Sequence, residues 1–244
     1  MKQMFLVNKT LAVLSLAATL ALTSCSKIDS TDVAPGEETE IDFSARKSSD
    51  DPNDQAFDRE MTRIFREMQR MVNDMPMTGD PDMDFAMMMS MHHQLGIDVG
   101  NAELRYGKHP EGKELAEESN RGNAESRERL QSYLRQHPAP ERIDPNVYQQ
   151  FMREMRTAMQ TMNRSFRRVP NTPDVDIDFA RKLLEHHEGA IDMANIQLKY
   201  GNDRAPLDEG KIIIISQGAE IIELAEFVNE HGIPNTTEPL SDDE

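Results

Sequence analysis

The chain has 244 residues, and its 44 acidic side chains outnumber 27 basic ones, which gives a formal net charge of −17 at pH 7. Phosphate binding needs clustered positive charge, so this balance argues against nucleic acid as a partner. The apolar share of 37% is enough for the core of one duplicated helical domain or of two small ones.

The N-terminal residues 1–24 have the pattern of a lipoprotein signal peptide. Lys2 and Lys9 supply positive charge, and the apolar run 11–22 is too short to span a bilayer as a stable anchor. The sequence Leu-Thr-Ser-Cys that ends at Cys25 resembles a bacterial lipobox, in which the cysteine is acylated. We therefore expect Cys25 to contact membrane lipid in the bacterial cell envelope, on the outer membrane facing the periplasm. An ordinary cleaved signal peptide is the alternative.

Helical periodicity defines six elements in the rest of the chain. Residues 25–53 are rich in Ser, Asp, Glu and Pro and predict a flexible tether, and the polar residues 233–244 predict a disordered tail. Between them, apolar residues recur every three or four positions, and Pro and Gly mark the connections. The predicted helices cover about 54–75, 82–106, 111–136, 145–168, 178–200 and 206–231.

The two halves of this helical region are related by a duplication with a constant offset of 94 residues. In each half an Asp-Phe-Ala sequence, at 84–86 and at 178–180, leads into a His-His pair. The sequence therefore predicts helical repeat 1 over 54–138 and helical repeat 2 over 139–232. Six helices without a clear strand signal predict an all-α bundle.

The two His-His pairs are the candidate metal ligands. Burying an imidazole costs free energy unless it finds a partner, so two pairs at equivalent positions favour metal or proton chemistry. A hydrogen-bonded core network is the alternative. Two methionines lie on the same helical faces as the pairs, and thioether together with imidazole favours a copper ion. The predicted metal ligands are His92, His93, His186, His187, Met89 and Met193.

The other methionines and histidines at helical spacing favour structural roles. Buried methionine is usually core, and this is the interpretation for Met61, Met68, Met155 and Met162. His137 and His231 each end a predicted helix, where a positive side chain suits the helix dipole, so we expect capping there. The sequence has no nucleophile triad, Gly-rich phosphate loop or Cys-x-x-Cys, and we expect no enzymatic activity.

A ferritin-like di-iron oxidase is a further hypothesis. Such sites need a Glu-x-x-His sequence on two helices and further glutamates on the others. The positions three residues before His92 and His186 are Met89 and Leu183, so the constellation is incomplete, although Glu185 and Glu220 remain possible ligands.

The segment 186–194, His-His-Glu-Gly-Ala-Ile-Asp-Met-Ala, is followed by Gln217 and Glu220-Ile221. Together they resemble the bacterial domain-of-unknown-function family 305, and the resemblance covers about 57–232. It implies a ferritin-like four-helix core with additional helices. Because some members are implicated in periplasmic copper binding and resistance, it also implies copper as the bound ion. Gln217 and Glu220 would then orient the ligating imidazoles by hydrogen bonds.

Each repeat keeps only part of the family pattern, which has one methionine three residues before the first histidine and another seven after it. Repeat 1 keeps Met89 but has Val99 downstream, whereas repeat 2 keeps Met193 but has Leu183 upstream. Either the halves combine across a pseudo-two-fold axis, or metal binding has weakened. The leading interpretation is a lipid-anchored envelope protein for copper storage, buffering or resistance, and the alternative is a structural or interaction bundle.

Overall fold

The computed structural model describes residues 51–232, and this part of the chain forms six α-helices. The predicted signal peptide 1–24, Cys25, nearly all of the predicted tether and the predicted tail 233–244 lie outside the described residues. Each helix begins and ends within three residues of its predicted limits, so the all-α prediction is confirmed. The helices are α1 Pro52–Asp74, α2 Pro81–Tyr106, α3 Pro110–Gln136, α4 Pro145–Arg168, α5 Val175–Tyr200 and α6 Arg204–His231.

Proline and aspartate define the starts of most of these helices. The side chains of four N-cap aspartates accept hydrogen bonds from the backbone of the first turn, which satisfies amides that have no partner within the helix. Proline follows at the first helical position in four helices, where its missing N–H costs nothing. The capping residues are Asp51, Asp80, Asp144 and Asp174, and the prolines are Pro52, Pro81, Pro110 and Pro145.

Four of the helices form a bundle, and the other two pack on its outside. Helix α2 packs against α3 and α5, and α6 packs against α5 and α3. Helix α1 covers α2, while its counterpart α4 covers α5. This arrangement confirms a four-helix core with additional helices. None of the described helices has the length and apolar content to cross a membrane.

Equivalent contacts of the two repeats show a pseudo-two-fold axis between α2 and α5. Asp82, in the first turn of α2, accepts a hydrogen bond from the backbone N–H of Asn202 just beyond α5. Asp176, its equivalent in α5, accepts hydrogen bonds from the backbone of Lys108 and His109 just beyond α2. The two helices are therefore antiparallel, and each repeat holds the loop that follows the central helix of the other.

The core is divided into two apolar clusters with a polar layer between them. The methionine cluster combines sulfur-containing and aromatic side chains, including Met88, Met89, Met155, Met193, Phe85 and Phe151. The second cluster includes Phe57, Leu95, Val99, Phe179, Leu183 and Leu224. On each bundle helix, buried polar residues separate the two clusters along the sequence. These residues are His92, His93, Asn123, Ser126, His186, His187 and Gln217.

Candidate metal centre

The first histidines of the two pairs meet at the pseudo-two-fold axis. The ring centroids of His92 and His186 are 4.0 Å apart. The Nε2 atom of His186 donates a hydrogen bond of 2.9 Å to the backbone carbonyl of His92. Both side chains are buried. The packing of α2 against α5 thus brings the two predicted half-sites into one place.

A methionine from α4 also contacts His92. Met162 Sδ lies 3.1 Å from His92 Nε2. The side chain has room because position 189 is glycine, where a Cβ atom would come within 2.8 Å of Met162 Sδ. The equivalent of Gly189 in repeat 1 is Leu95, so the room exists in one repeat only. The core assignment of Met162 is confirmed, since it is buried within the second cluster. Periodicity does not show that its sulfur contacts His92, and the glycine three residues after His186 is the signal that could have identified this contact.

His93 is held by a chain of polar side chains that leads to the surface. Ser126 donates a 2.6 Å hydrogen bond to Glu209 Oε1, and Glu209 pairs with Arg129 at 2.6 Å. The hydroxyl proton of Ser126 is donated to Glu209. In the 2.8 Å contact between His93 Nε2 and Ser126 Oγ, the Nε2–H group of His93 is therefore the donor and the serine oxygen the acceptor. His93 Nδ1 then carries a lone pair, and it is buried without a hydrogen-bond partner among the described residues.

In the second His-His pair, His187 contacts a carboxylate. His186 donates through Nε2, so its Nδ1 is an acceptor in the neutral ring, and the 3.4 Å contact with His187 Nδ1 makes His187 the donor there. The remaining nitrogen, His187 Nε2, lies 2.9 Å from Glu220 Oε2. The direction of this contact does not suit a hydrogen bond. The buried ring of His187 therefore contacts a carboxylate without a well-aligned hydrogen bond.

Burial keeps most of these imidazoles neutral. Desolvation, together with the neighbouring histidines, lowers the pKa of His92 and of His186 far below the usual value. Burial likewise lowers the pKa of His93 to about 3, with His187 adding to the shift. Neutral imidazole is the form that binds metal ions. These three rings can therefore bind a metal ion at pH 7 without first losing a proton.

The two residues predicted to orient the imidazoles lie in the same polar layer. Glu220 faces His187, as described above. Gln217 is buried and donates a 3.3 Å hydrogen bond to Asn123 Oδ1, so that these two equivalent residues also meet across the axis. Asn123 also lies beside His93 and opposes the lowering of its pKa.

The two predicted methionine ligands lie in the methionine cluster. Met89 and Met193 are 0% and 1% exposed and pack among aromatic and apolar side chains. In the described part of the chain, Met162 is the methionine whose sulfur contacts an imidazole nitrogen of the pairs. The structure therefore brings the four histidines, Gln217 and Glu220 together, and it places Met89 and Met193 in the adjoining core.

Comparison with known proteins gives a family model and two similar folds. The model of the domain of unknown function DUF305 matches residues 82–228. A DUF305 fragment from Deinococcus radiodurans is 20% identical, with a TM-score of 0.47, over 64% of this chain and 99% of the fragment. CopM in a silver-bound form obtained by soaking is 23% identical, with a TM-score of 0.46, over 62% of this chain and 96% of CopM.

No curated protein matches this chain. The family model nevertheless spans more than half of the sequence and includes both His-His pairs. The chain therefore belongs to the DUF305 family.

Proposed function

We propose that this protein is a lipid-anchored envelope protein that binds copper for storage, buffering or resistance and catalyses no reaction. The observation that carries the proposal is the meeting of His92 and His186 at the pseudo-two-fold axis, with Met162 Sδ against His92 Nε2. Imidazole and thioether are the donors that copper prefers over harder ligands. Copper would bind among these side chains, with His93 and His187 beside them.

Unsatisfied nitrogen atoms support a cation in this layer. His92 Nδ1, His93 Nδ1 and His187 Nε2 are all buried without a hydrogen-bond partner in residues 51–232. A buried polar atom left unpaired costs about 1–3 kcal/mol, so three together are a considerable cost. A bound copper ion supplies positive charge that stabilises such lone pairs, and the donor set therefore fits the ion.

The contact between His187 and Glu220 supports the same conclusion. A carboxylate oxygen 2.9 Å from an imidazole nitrogen is stabilised by positive charge at the contact. This charge is either a proton taken up by the pair or a metal ion. Glu220 is partly exposed, with 23% of its side chain accessible, and so connects the buried layer to solvent. We propose that Glu220 leads metal ions to the imidazoles.

Replacing Met162 by leucine is expected to weaken Cu(I) binding by about tenfold or more and Cu(II) binding much less, because thioether is a soft donor. The full chain, purified without a histidine tag, would be titrated with each ion against a competing chelator. Met155→Leu is the matched control, since Met155 is a fully buried methionine of the methionine cluster. Equal effects of the two substitutions would contradict a role for Met162 as a ligand.

A structural role of the His pairs is the second candidate. The continuous chain His93–Ser126–Glu209–Arg129 favours it, because a histidine held in this way needs no metal. If the wild-type chain binds neither Cu(I) nor Cu(II) more tightly than about 1 µM, this alternative is correct and the copper proposal fails.

A di-iron centre has less support than either candidate. Among the described residues, groups of three histidine or carboxylate donors within 4.8 Å of one another occur at two places, and neither includes a His-His pair. Carboxylates that bridge two iron ions need such a group.

The membrane anchor rests on the sequence around Cys25, which precedes the described residues. We propose that Cys25 is acylated and holds the protein at the outer membrane, facing the periplasm. Cells grown with labelled fatty acid should incorporate label into the wild-type protein and none into Cys25→Ala. Label retained in the variant would exclude this site of acylation.

A further inference from the structure

Two histidines and a glutamate lie together where α3 begins and α6 ends. His109 is the residue before α3, Glu111 is in the first turn of α3, and His231 is the last residue of α6. One ligand atom from each side chain lies within 4.8 Å of the other two. The site is separate from the buried His pairs, and Glu111 and His231 are exposed to solvent.

One pair of these donors has the spacing found in a tetrahedral metal site. His231 Nε2 lies 3.3 Å from Glu111 Oε2. In a tetrahedral zinc site with bonds of about 2.0–2.1 Å, neighbouring ligand atoms are about 3.3 Å apart. Two imidazoles with one carboxylate are also a known zinc donor set, which leaves a fourth position for water.

The surroundings hold the two imidazoles in place. Their ring centroids are 4.2 Å apart, and Phe227 packs against His109 at 5.3 Å and against His231 at 4.8 Å. The backbone N–H of His109 donates a 2.7 Å hydrogen bond to Asp176, which fixes the loop before α3. The positions of the donors therefore depend on packed side chains and on a partly buried hydrogen bond of the His109 backbone.

An open nitrogen and an adjoining cavity add to this geometry. His109 Nδ1 is buried and has no hydrogen-bond partner within the described part of the chain. A cavity of about 290 Å³ is lined by His109 and His231 together with Asp174 and Asp176. The cavity has room for a water ligand, and its carboxylates favour the approach of a cation.

The equivalent place in the other half of the bundle lacks this donor set. The residues offset by 94 from His109 and Glu111 are Asp203 and Ala205, and His231 corresponds to His137. His137 Nδ1 lies 2.9 Å from the backbone carbonyl of Tyr133, so His137 caps α3 as expected for a terminal histidine. His231 contacts Glu111 instead.

We propose that His109, Glu111 and His231 form a surface site for a divalent transition-metal ion of the zinc class. The bound ion ties the end of α6 to the start of α3. The site uses borderline nitrogen and oxygen donors and no thioether, so its preference differs from that of the buried copper site. Being exposed, it also exchanges its ion more readily than the buried layer.

The test is a calorimetric titration of the full, untagged chain with Zn²⁺. His231→Ala and Glu111→Gln are expected to lower the affinity by at least about tenfold, since even outer hydrogen bonds to metal ligands are worth roughly 10–100-fold. His137→Ala, at the equivalent helix end, is the matched control and should bind like the wild type. Co²⁺ provides a second measurement, because its visible absorption spectrum reports the ligands and should change in the same two variants.

Each outcome decides the proposal. Zn²⁺ binding that is absent in the wild type, or unchanged in both variants, overturns it, and so does an equal loss in His137→Ala. Glu111→Gln keeps the shape of an exposed side chain, so a loss in this variant with an unchanged circular dichroism spectrum reports the ligand itself. Met162→Leu should retain Zn²⁺ binding, which separates failure at this site from failure of the copper proposal.

Discussion

Replacing Glu103 by glutamine is expected to stabilise the protein by about 3 kcal/mol at pH 7. Glu103 lies near the end of α2 and is fully buried, with its carboxyl group beside that of Asp176; neither of its carboxyl oxygens has a hydrogen-bond partner among the described residues. Burial raises its pKa to about 9, with the contact and the charge of Asp176 adding to the shift. Asp174 raises the pKa further, and Lys113 opposes it. Glu103 is therefore protonated in the folded protein.

The sign of the effect follows from proton binding. An unfolded glutamate ionises near pH 4.5, whereas folded Glu103 keeps its proton up to about pH 9. Unfolding releases this proton between the two values, so the stability of the wild type falls as the pH rises through that window. A glutamine amide can donate a hydrogen bond to Asp176 and has no titrating proton. The equivalent Gln197 already does this, since its amide donates to Asp82.

Urea unfolding between about pH 5 and pH 8 measures the effect. The difference in free energy of unfolding between Glu103→Gln and wild type should grow by about 4 kcal/mol over this range. Gln197→Glu is the reciprocal control, because it places a second carboxyl beside Asp82 and should lose stability over the same interval. Parallel pH curves for Glu103→Gln and wild type would show that Glu103 is ionised in the folded protein.

Gly96→Ala is expected to destabilise the protein by about 1–3 kcal/mol and to weaken copper binding. A Cβ atom at position 96 would lie 2.7 Å from His186 Cε1 and 2.8 Å from Asn123 Nδ2. His186 is fully buried and bound to the carbonyl of His92, so it cannot move aside alone. The new methyl group instead separates α2 from α5 and displaces the imidazole at the axis.

Gly218→Ala is the matched control for this substitution. Gly218 lies within α6 and has no neighbouring atom within 4 Å of an added Cβ. Alanine there should stabilise the protein by about 0.5–1 kcal/mol through its helix propensity. Thermal unfolding and a copper titration of both variants give the comparison. A Gly96→Ala protein as stable as Gly218→Ala would show that α2 and α5 are less closely packed than the structure indicates.

The helices could be predicted because their signals are local. Proline marks the starts of α1 to α4, and apolar spacing defines the faces between. The largest error is at α5, which begins three residues before the predicted start. The side chain of Asp174 accepts from the amides of Asp176 and Ile177 and so begins the helix at Val175. The spacing of apolar residues does not show where a capping side chain begins a helix.

The site could be predicted only in part, because its remaining contacts join distant segments. The constant offset identified His92 and His186 as equivalent, and equivalent residues meet wherever a pseudo-two-fold axis passes between them. Met162 lies 70 residues from His92 and on a helix outside the bundle, so its position depends on tertiary packing beside Gly189. The cluster of His109, Glu111 and His231 likewise forms only when α3 and α6 are side by side.

The crossed contacts of Asp82 and Asp176 bear on the origin of the fold. Each aspartate satisfies backbone amides that belong to the opposite repeat. A chain with a single repeat would leave those amides, half of the polar layer and one face of its central helix without partners. Water could bond the exposed amides but could not cover the apolar face of that helix, so a one-repeat ancestor is expected to have paired as a homodimer whose site formed only on association. Fusion of the two copies made that assembly intramolecular and independent of concentration, and it freed each half to change alone, as Gly189 and Leu95 have done.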